Sequence, residues 1–216
     1  MAKKGGHLPP SGPLDVTLSD WGKDLVLFRV HPDKYKAAQF NPSDSGDARF
    51  SPSVRKDGSV IPTLYAGTTL DCALMETVFH DVPYAPGLKT LSKKTHVEER
   101  VYSSIQLPRD LKLIDLGTIA LRKLGIPRSG LIDTDASEYS RTRQWALALY
   151  ENTPAAEGLL WTSRQDDRAQ AIVLFGERLS SLTFGTVTSA QPLLLPDGSA
   201  CKEVLDLAVR LGVLVI

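Results

Sequence analysis

The 216-residue chain has no long apolar run, only two cysteines and no excess of either charge. Nothing in it approaches the ~18 consecutive apolar residues of a membrane-spanning helix, so no span is expected. Cys72 and Cys201 lie far apart and make neither a disulfide framework nor a zinc site. Both read as small buried hydrophobes. Lys+Arg and Asp+Glu each total 25, for a formal net charge of zero. That balance argues against direct binding of DNA or RNA, which calls for basic excess. The opening MAKKGGHLPPSGP has two lysines but no apolar segment behind them. No signal peptide is read, and a cytoplasmic location with reduced thiols is expected.

The common catalytic signatures are missing as well. There is no GxGxxG, no GxxxxGK[ST] and no GxSxG, so dinucleotide-fold, P-loop and serine-hydrolase readings lack support. The four histidines show no metal-ligand spacing, and no metal is expected. His80 beside Asp81 reads as a base with its neighbour or, more ordinarily, as the solvated end of a helix. Lys89, Lys93 and Lys94, diluted by Glu98 and Glu99, read as solvated surface.

What is there is an ordinary globular composition, 42% hydrophobic and 23% charged, on a chain long enough to bury a core. Residues 1–20, rich in Gly, Pro and Ser, read as a flexible N-terminal arm before one domain over 21–216. DLVLFRV reads as a buried strand ending at Arg29. A long loop follows, with one helical turn at 35–38, and VIPTLYAGTT is the next strand. LDCALMETVFHDV predicts a helix over 70–82, with Thr69 as N-cap and Pro83 as its stop. Its apolar stripe is Leu70, Ala73, Leu74 and Val78.

Residues 84–100 read as a charged surface excursion, and VYSSIQL and LKLIDL as strands. TIALRKL is a helix stopped by Gly125. Asp135 with Glu138 resembles a capping box opening a helix to about Tyr150. GLLWTS and QAIVLFG are two more strands, and Ser199 caps a last helix that Gly212 stops. The pattern predicts a single α+β domain with a mixed, largely antiparallel sheet and flanking helices.

Five dispersed residues suit one chemistry. Arg29 at the strand end and Arg49 in ARFSP carry forked donors that clamp a pyrophosphate. Tyr65 in LYAGTT offers a ring for stacking on a flat heterocycle. Glu76 projects away from its helix's apolar stripe, and a carboxylate there stabilises an oxocarbenium-like centre. Ser163 in WTSRQDD fixes a ring or a carboxylate by hydrogen bonding. Taken singly, each also has an ordinary structural reading.

The ordered segments LFRV, ARFSP, PTLYAGTTLDCALMETVFH and GLLWTSRQDD followed by IVLF resemble the RES-domain family over roughly residues 24–180. The family is named for an arginine, a glutamate and a serine, which match Arg29, Glu76 and Ser163. Arg49 and Tyr65 match two further family positions, while Val30 stands where many members carry a large residue. The resemblance implies an ADP-ribosyltransferase-like fold and the toxin of a type II toxin–antitoxin system. It implies an NAD-consuming enzyme, acting as phosphorylase or glycohydrolase on the nicotinamide–ribose bond. A mono-ADP-ribosyltransferase acting on a cellular protein is the alternative, and a catalytically inactive antitoxin-binding module the second.

In the roles so implied, Arg29 and Arg49 clamp phosphate and Tyr65 stacks on nicotinamide. Glu76 stabilises the ribose cation, and Ser163 positions Glu76 or the nicotinamide end. NAD is substrate, inorganic phosphate is the candidate co-substrate, and no cofactor is expected. The expected partner is an Xre-type helix-turn-helix antitoxin, with a homodimer left open.

Overall fold

Strands apolar on both faces need cover on both, and GLLWT and QAIVLF have that composition. They lie in the middle of the large sheet in the computed structural model, which describes residues 8–195 and 198–216. In chain order come β1 (Leu18–Trp21), β2 (Val26–Pro32), the short β3 (Ser53–Val54) and β4 (Val60–Ile61), and β5 (Thr63–Gly67). Helix α1 (Leu70–Met75) leads to β6 (Lys89–Leu91), α2 (Lys93–His96), β7 (Arg100–Gln106) and β8 (Leu111–Asp115). Helices α3 (Thr118–Leu124), α4 (Arg128–Leu131) and α5 (Tyr139–Asn152) precede the hairpin of β9 (Gly158–Thr162) and β10 (Gln170–Phe175). Then follow α6 (Gly176–Leu179), β11 (Gly185–Pro192), α7 (Ser199–Leu211) and β12 (Val213–Val215).

The eight-stranded sheet runs β1-β8-β9-β10-β5-β2-β7-β11. Its pairs are antiparallel except β8 with β9, so it is mixed and largely antiparallel, as expected. Strand alternation builds the two layers. Leu159, Trp161, Val173 and Phe175 face α3–α5, where Leu121, Leu131, Trp145 and Leu149 cover them. Leu160, Ile172 and Leu174 face the other way, under Leu179, Phe184 and the Ala37–Phe40 loop. A third cluster joins Leu74, Val78 and Phe79 to Val204, Leu207 and Ala208 of α7. Full burial of such a side chain contributes roughly 1.5–3 kcal/mol. Packing, rather than intrinsic propensity, therefore holds helices as short as α1.

Several expectations are corrected. β2 runs through Arg29 to Pro32, because β7 pairs with it in unbroken register from Val26↔Gln106 to Pro32↔Arg100. Residues 35–38 make turns, closed by Tyr35 N–H on the Pro32 carbonyl and Gln39 N–H on Lys36, and no helix. Pro62 divides the second expected strand into β4 and β5. Thr69 does cap α1, accepting from Cys72 N–H at 3.0 Å, but the helix stops at Met75. There the Thr77 hydroxyl donates to the Ala73 carbonyl at 2.6 Å, and the Thr77 and Phe79 amides both turn back onto Leu74.

The 84–100 segment is no loose excursion. β6 pairs in parallel with the distant β12, and Leu91 and Val97 are buried. Glu138 makes no capping bond; it pairs with Arg141 at 2.9 Å, and a short 3-10 turn (Ala136–Glu138) precedes α5. Leu18–Trp21, which straddle the end of the expected 1–20 arm, form the edge strand β1 on β8, and Leu14 and Val16 pack on the core. Residues 1–7 of that expected arm lie outside the described residues. So does the Ser199 side chain; Gly198 occupies the N-cap position of α7. Gly125 and Gly212 end their helices in left-handed conformation, φ 80° and 66°. Cys72 is buried and Cys201 half-buried. Among the described residues no helix is long and apolar enough to cross a membrane.

Candidate active site

β2 and β5 are neighbours in the sheet but share a single register pair, Phe28↔Gly67. The sheet therefore splits at its centre, and a cleft of about 370 Å³ opens between the two strands. That is within the usual size of small-molecule sites. Phe28–Val30 and Tyr65–Gly67 line it, with Cys72, Ala73 and Glu76 from the α1 region, Asp47–Arg49, Tyr139, Trp161 and Arg100. Gly67 lets α1 come close: a Cβ there would stand 2.9 Å from Cys72 Sγ and 3.1 Å from Ala73 N.

Glu76 is the C-cap residue of α1, its amide bonded back to Cys72. The core-directed Leu74, Val78 and Phe79 on either side turn its carboxylate toward the cleft. The Ser163 hydroxyl donates to Glu76 Oε1 at 2.5 Å. It also accepts from Gln165 N–H and Asp166 N–H, each at 3.0 Å, in the turn after β9. A serine hydroxyl has one donor and two acceptor sites, so this one is saturated. Ser163 is 1% exposed and does not line the cleft; it holds the carboxylate rather than meeting a ligand. Oε2 makes no hydrogen bond to a described residue. Of the two placements anticipated for Ser163, beside Glu76 or at the far end of a ligand, the geometry has the first.

Both expected arginines line the cleft, but their forks are turned inward. Arg29 donates through Nε to the Tyr65 carbonyl at 3.2 Å. Through Nη1 it reaches the carbonyls of Lys36 and Gln39, each at 3.4 Å, and that of Ala37. It is 7% exposed, and burial pushes its guanidinium down to about 10, so it stays charged at neutral pH. Arg49 Nη1 donates to Thr134 Oγ1 at 2.5 Å and to the Thr134 carbonyl at 3.2 Å, and the guanidinium lies 5.1 Å from the Tyr139 ring centroid. Burial lowers Arg49, while Tyr139 and Glu76 act to raise it. The sequence reading of two unengaged forks is thus narrowed. Nη2 of Arg29, and Nε and Nη2 of Arg49, are the donors left without a described partner.

Tyr65 lies between Trp161, edge-on at 6.3 Å, and the ARFSP loop, whose Phe50 N–H donates to the Tyr65 hydroxyl at 2.9 Å. Burial raises this phenol well above its ordinary range. Its hydroxyl is occupied by the fold, and its ring is what the cleft meets. Burial, reinforced by Glu76, likewise pushes the Cys72 thiol up to about 12, far from a reactive thiolate.

Tyr139 and Arg100 escaped the sequence reading, and His80 with Asp81 stands there as a base and its neighbour or, more ordinarily, as a solvated helix end. His80 is not a bare helix end: Nδ1 lies 2.8 Å from Asp81 Oδ1 and Nε2 3.3 Å from the Tyr139 hydroxyl. Its spacing of four from Glu76 was the available signal. Tyr139 and Arg100 had none, since each reaches the cleft from an element whose place depends on the tertiary fold. Among the described residues no group of three His, Cys, Asp or Glu side chains forms a metal-binding cluster.

Fold and site together define an α+β protein with a cleft in a split sheet, where a serine-held carboxylate stands beside buried arginines. A sequence model of the RES domain matches residues 26–192, and the chain belongs to the RES-domain family. Among solved structures it is similar to a chain of the M. tuberculosis MbcT-MbcA toxin-antitoxin complex. The TM-score is 0.58 at 14% identity, covering 89% of this chain and 92% of that one, which shows a shared fold. No curated protein matches the chain by sequence.

Proposed function

We propose that this RES-domain protein is the toxin of a type II toxin–antitoxin pair, and that it depletes NAD by phosphorolysis or hydrolysis of the nicotinamide–ribose bond. The observation that carries the reading is Glu76, which lines an arginine-bearing cleft, held through one oxygen by Ser163 while the other makes no hydrogen bond to a described residue. Family membership, and the fold shared with a chain of a toxin–antitoxin complex, support it.

In this reading the bond from ribose C1′ to the nicotinamide nitrogen breaks, and its electron pair leaves with neutral nicotinamide. The ribose becomes cationic as the bond lengthens, and the Glu76 carboxylate offsets that charge in a site shielded from bulk water. Phosphate or water then adds to C1′. The Tyr65 ring forms the wall against nicotinamide, and the Nη2 groups of Arg29 and Arg49, left without a described partner, meet phosphate oxygens. NAD is the substrate, and every step is assigned to side chains. The restraining partner is an Xre-type helix-turn-helix antitoxin.

Purified chain incubated with NAD labelled in its adenosine half, with and without cell lysate, tests this. Free nicotinamide should appear together with labelled ADP-ribose or its 1-phosphate, and NAD should fall in cells expressing the chain alone. Label precipitating with protein would make it a mono-ADP-ribosyltransferase. Undiminished NAD with folded protein would leave an inactive binding module. Ser163→Ala should lower kcat about tenfold with KM nearly unchanged, because it frees the carboxylate from its hydrogen bond without touching substrate. A rise in KM alone would mean that Ser163 meets the ligand.

A further inference from the structure

Each acid lining the cleft has a partner. Asp47 pairs with Arg143 at 2.8 Å, Asp81 with His80, and Glu76 with Ser163. Arg29 and Arg49 are anchored on carbonyls. Arg100 differs: its side chain makes no hydrogen bond, ion pair or ring contact with any described residue, although it lines the cleft and is half-buried. Its backbone, by contrast, is held firmly. Arg100 opens β7 opposite Pro32, its N–H donates to the Val97 carbonyl, and its own carbonyl accepts from Leu193 N–H.

The register explains why it reaches the site. Val30↔Tyr102 and Pro32↔Arg100 are pairs two residues apart, so Val30 and Arg100 stand on the same face of the β2–β7 ladder. Val30 is short, and it lines the cleft together with Arg100. A second depression, lined by Pro32, Lys94, Glu98 and Glu99, also borders Arg100. Neither acid there forms an ion pair with it. A half-buried guanidinium with all five donors unmatched, on a rigid strand at the edge of a cleft whose acids are already engaged, is built to take an anion.

We infer that Arg100 is the principal phosphoryl-binding side chain of this cleft, gripping oxygens of either a dinucleotide's diphosphate or free inorganic phosphate. The inference rests on the NAD-cleaving reading for its substrate, but not for its test. Titration calorimetry on the full chain, with ADP as the diphosphate probe and inorganic phosphate as the other, compares wild type, Arg100→Ala, Arg100→Lys and Lys94→Ala. Loss of a charge-assisted contact should weaken one probe roughly tenfold to a hundredfold in Arg100→Ala, with partial recovery in Arg100→Lys.

Loss confined to ADP assigns the diphosphate; loss confined to inorganic phosphate assigns the acceptor. Lys94→Ala removes a neighbouring exposed charge and should leave both affinities unchanged. The proposal is overturned if folded Arg100→Ala binds both probes as wild type does, if wild type binds neither, or if Lys94→Ala matches its loss. A wild-type chain that binds phosphate through Arg100 yet cleaves no NAD would overturn the functional reading alone.

Discussion

Glu76→Gln slows nicotinamide release about 100-fold or more while the protein stays folded. Removing one preorganised group aimed at developing charge typically has this size of effect. The change is isosteric and removes only the negative charge. The amide oxygen still accepts from Ser163, and the Glu76 backbone amide still closes α1 on Cys72. Stability should therefore move by less than about 0.5 kcal/mol. Since the ground state carries no positive charge at C1′ comparable to that of the transition state, kcat should carry the loss and KM should not. Measured rates of nicotinamide release at saturating NAD, with thermal midpoints alongside, decide it. A folded variant with the wild-type rate removes Glu76 from the mechanism.

Arg29→Lys destabilises the chain by about 2–4 kcal/mol, an effect on the fold as much as on the site. Arg29 ties β5, through Tyr65, to the loop carbonyls of Lys36, Ala37 and Gln39. A planar fork serves these two directions at once, and one ammonium on a flexible stem cannot reproduce it. The ammonium would also be buried without matched acceptors. Urea unfolding should show a lower midpoint, and amides at 36–39 should exchange faster with solvent. Activity should fall too, because this loop leads into the Asp47–Arg49 wall of the cleft. An unchanged midpoint with lost activity would instead make Arg29 a pure ligand clamp.

Local patterns were legible where the physics is local. Thr69 as N-cap and the helix stops at Gly125 and Gly212 rest on contacts within a few residues, and the strands GLLWT and QAIVLF on short, nearly continuous apolar runs. The length of α1 was misread because the 70–82 apolar spacing is helical, while the Thr77 hydroxyl and the docking of Phe79 in the α7 cluster end the helix. The 84–100 segment looked like surface because its partner strand, β12, lies more than a hundred residues away in the chain. Arg29, Arg49, Tyr65 and Glu76 were identified as candidates and do line one cleft, with Ser163 behind Glu76.

The sequence by itself determined the α+β class, the membership in the RES-domain family and the residue types available for chemistry, because composition, periodicity and motif order carry that information directly. Tertiary structure decided how those residues are used. The split between β2 and β5, the bond from Ser163 to a glutamate 87 residues away, and the engagement of Arg29 with main-chain carbonyls are long-range. So is the unengaged position of Arg100. Backbone carbonyls are the same at every residue, and register between distant strands is set by the packing of the whole sheet. Neither leaves a mark on the local sequence, so neither was readable there.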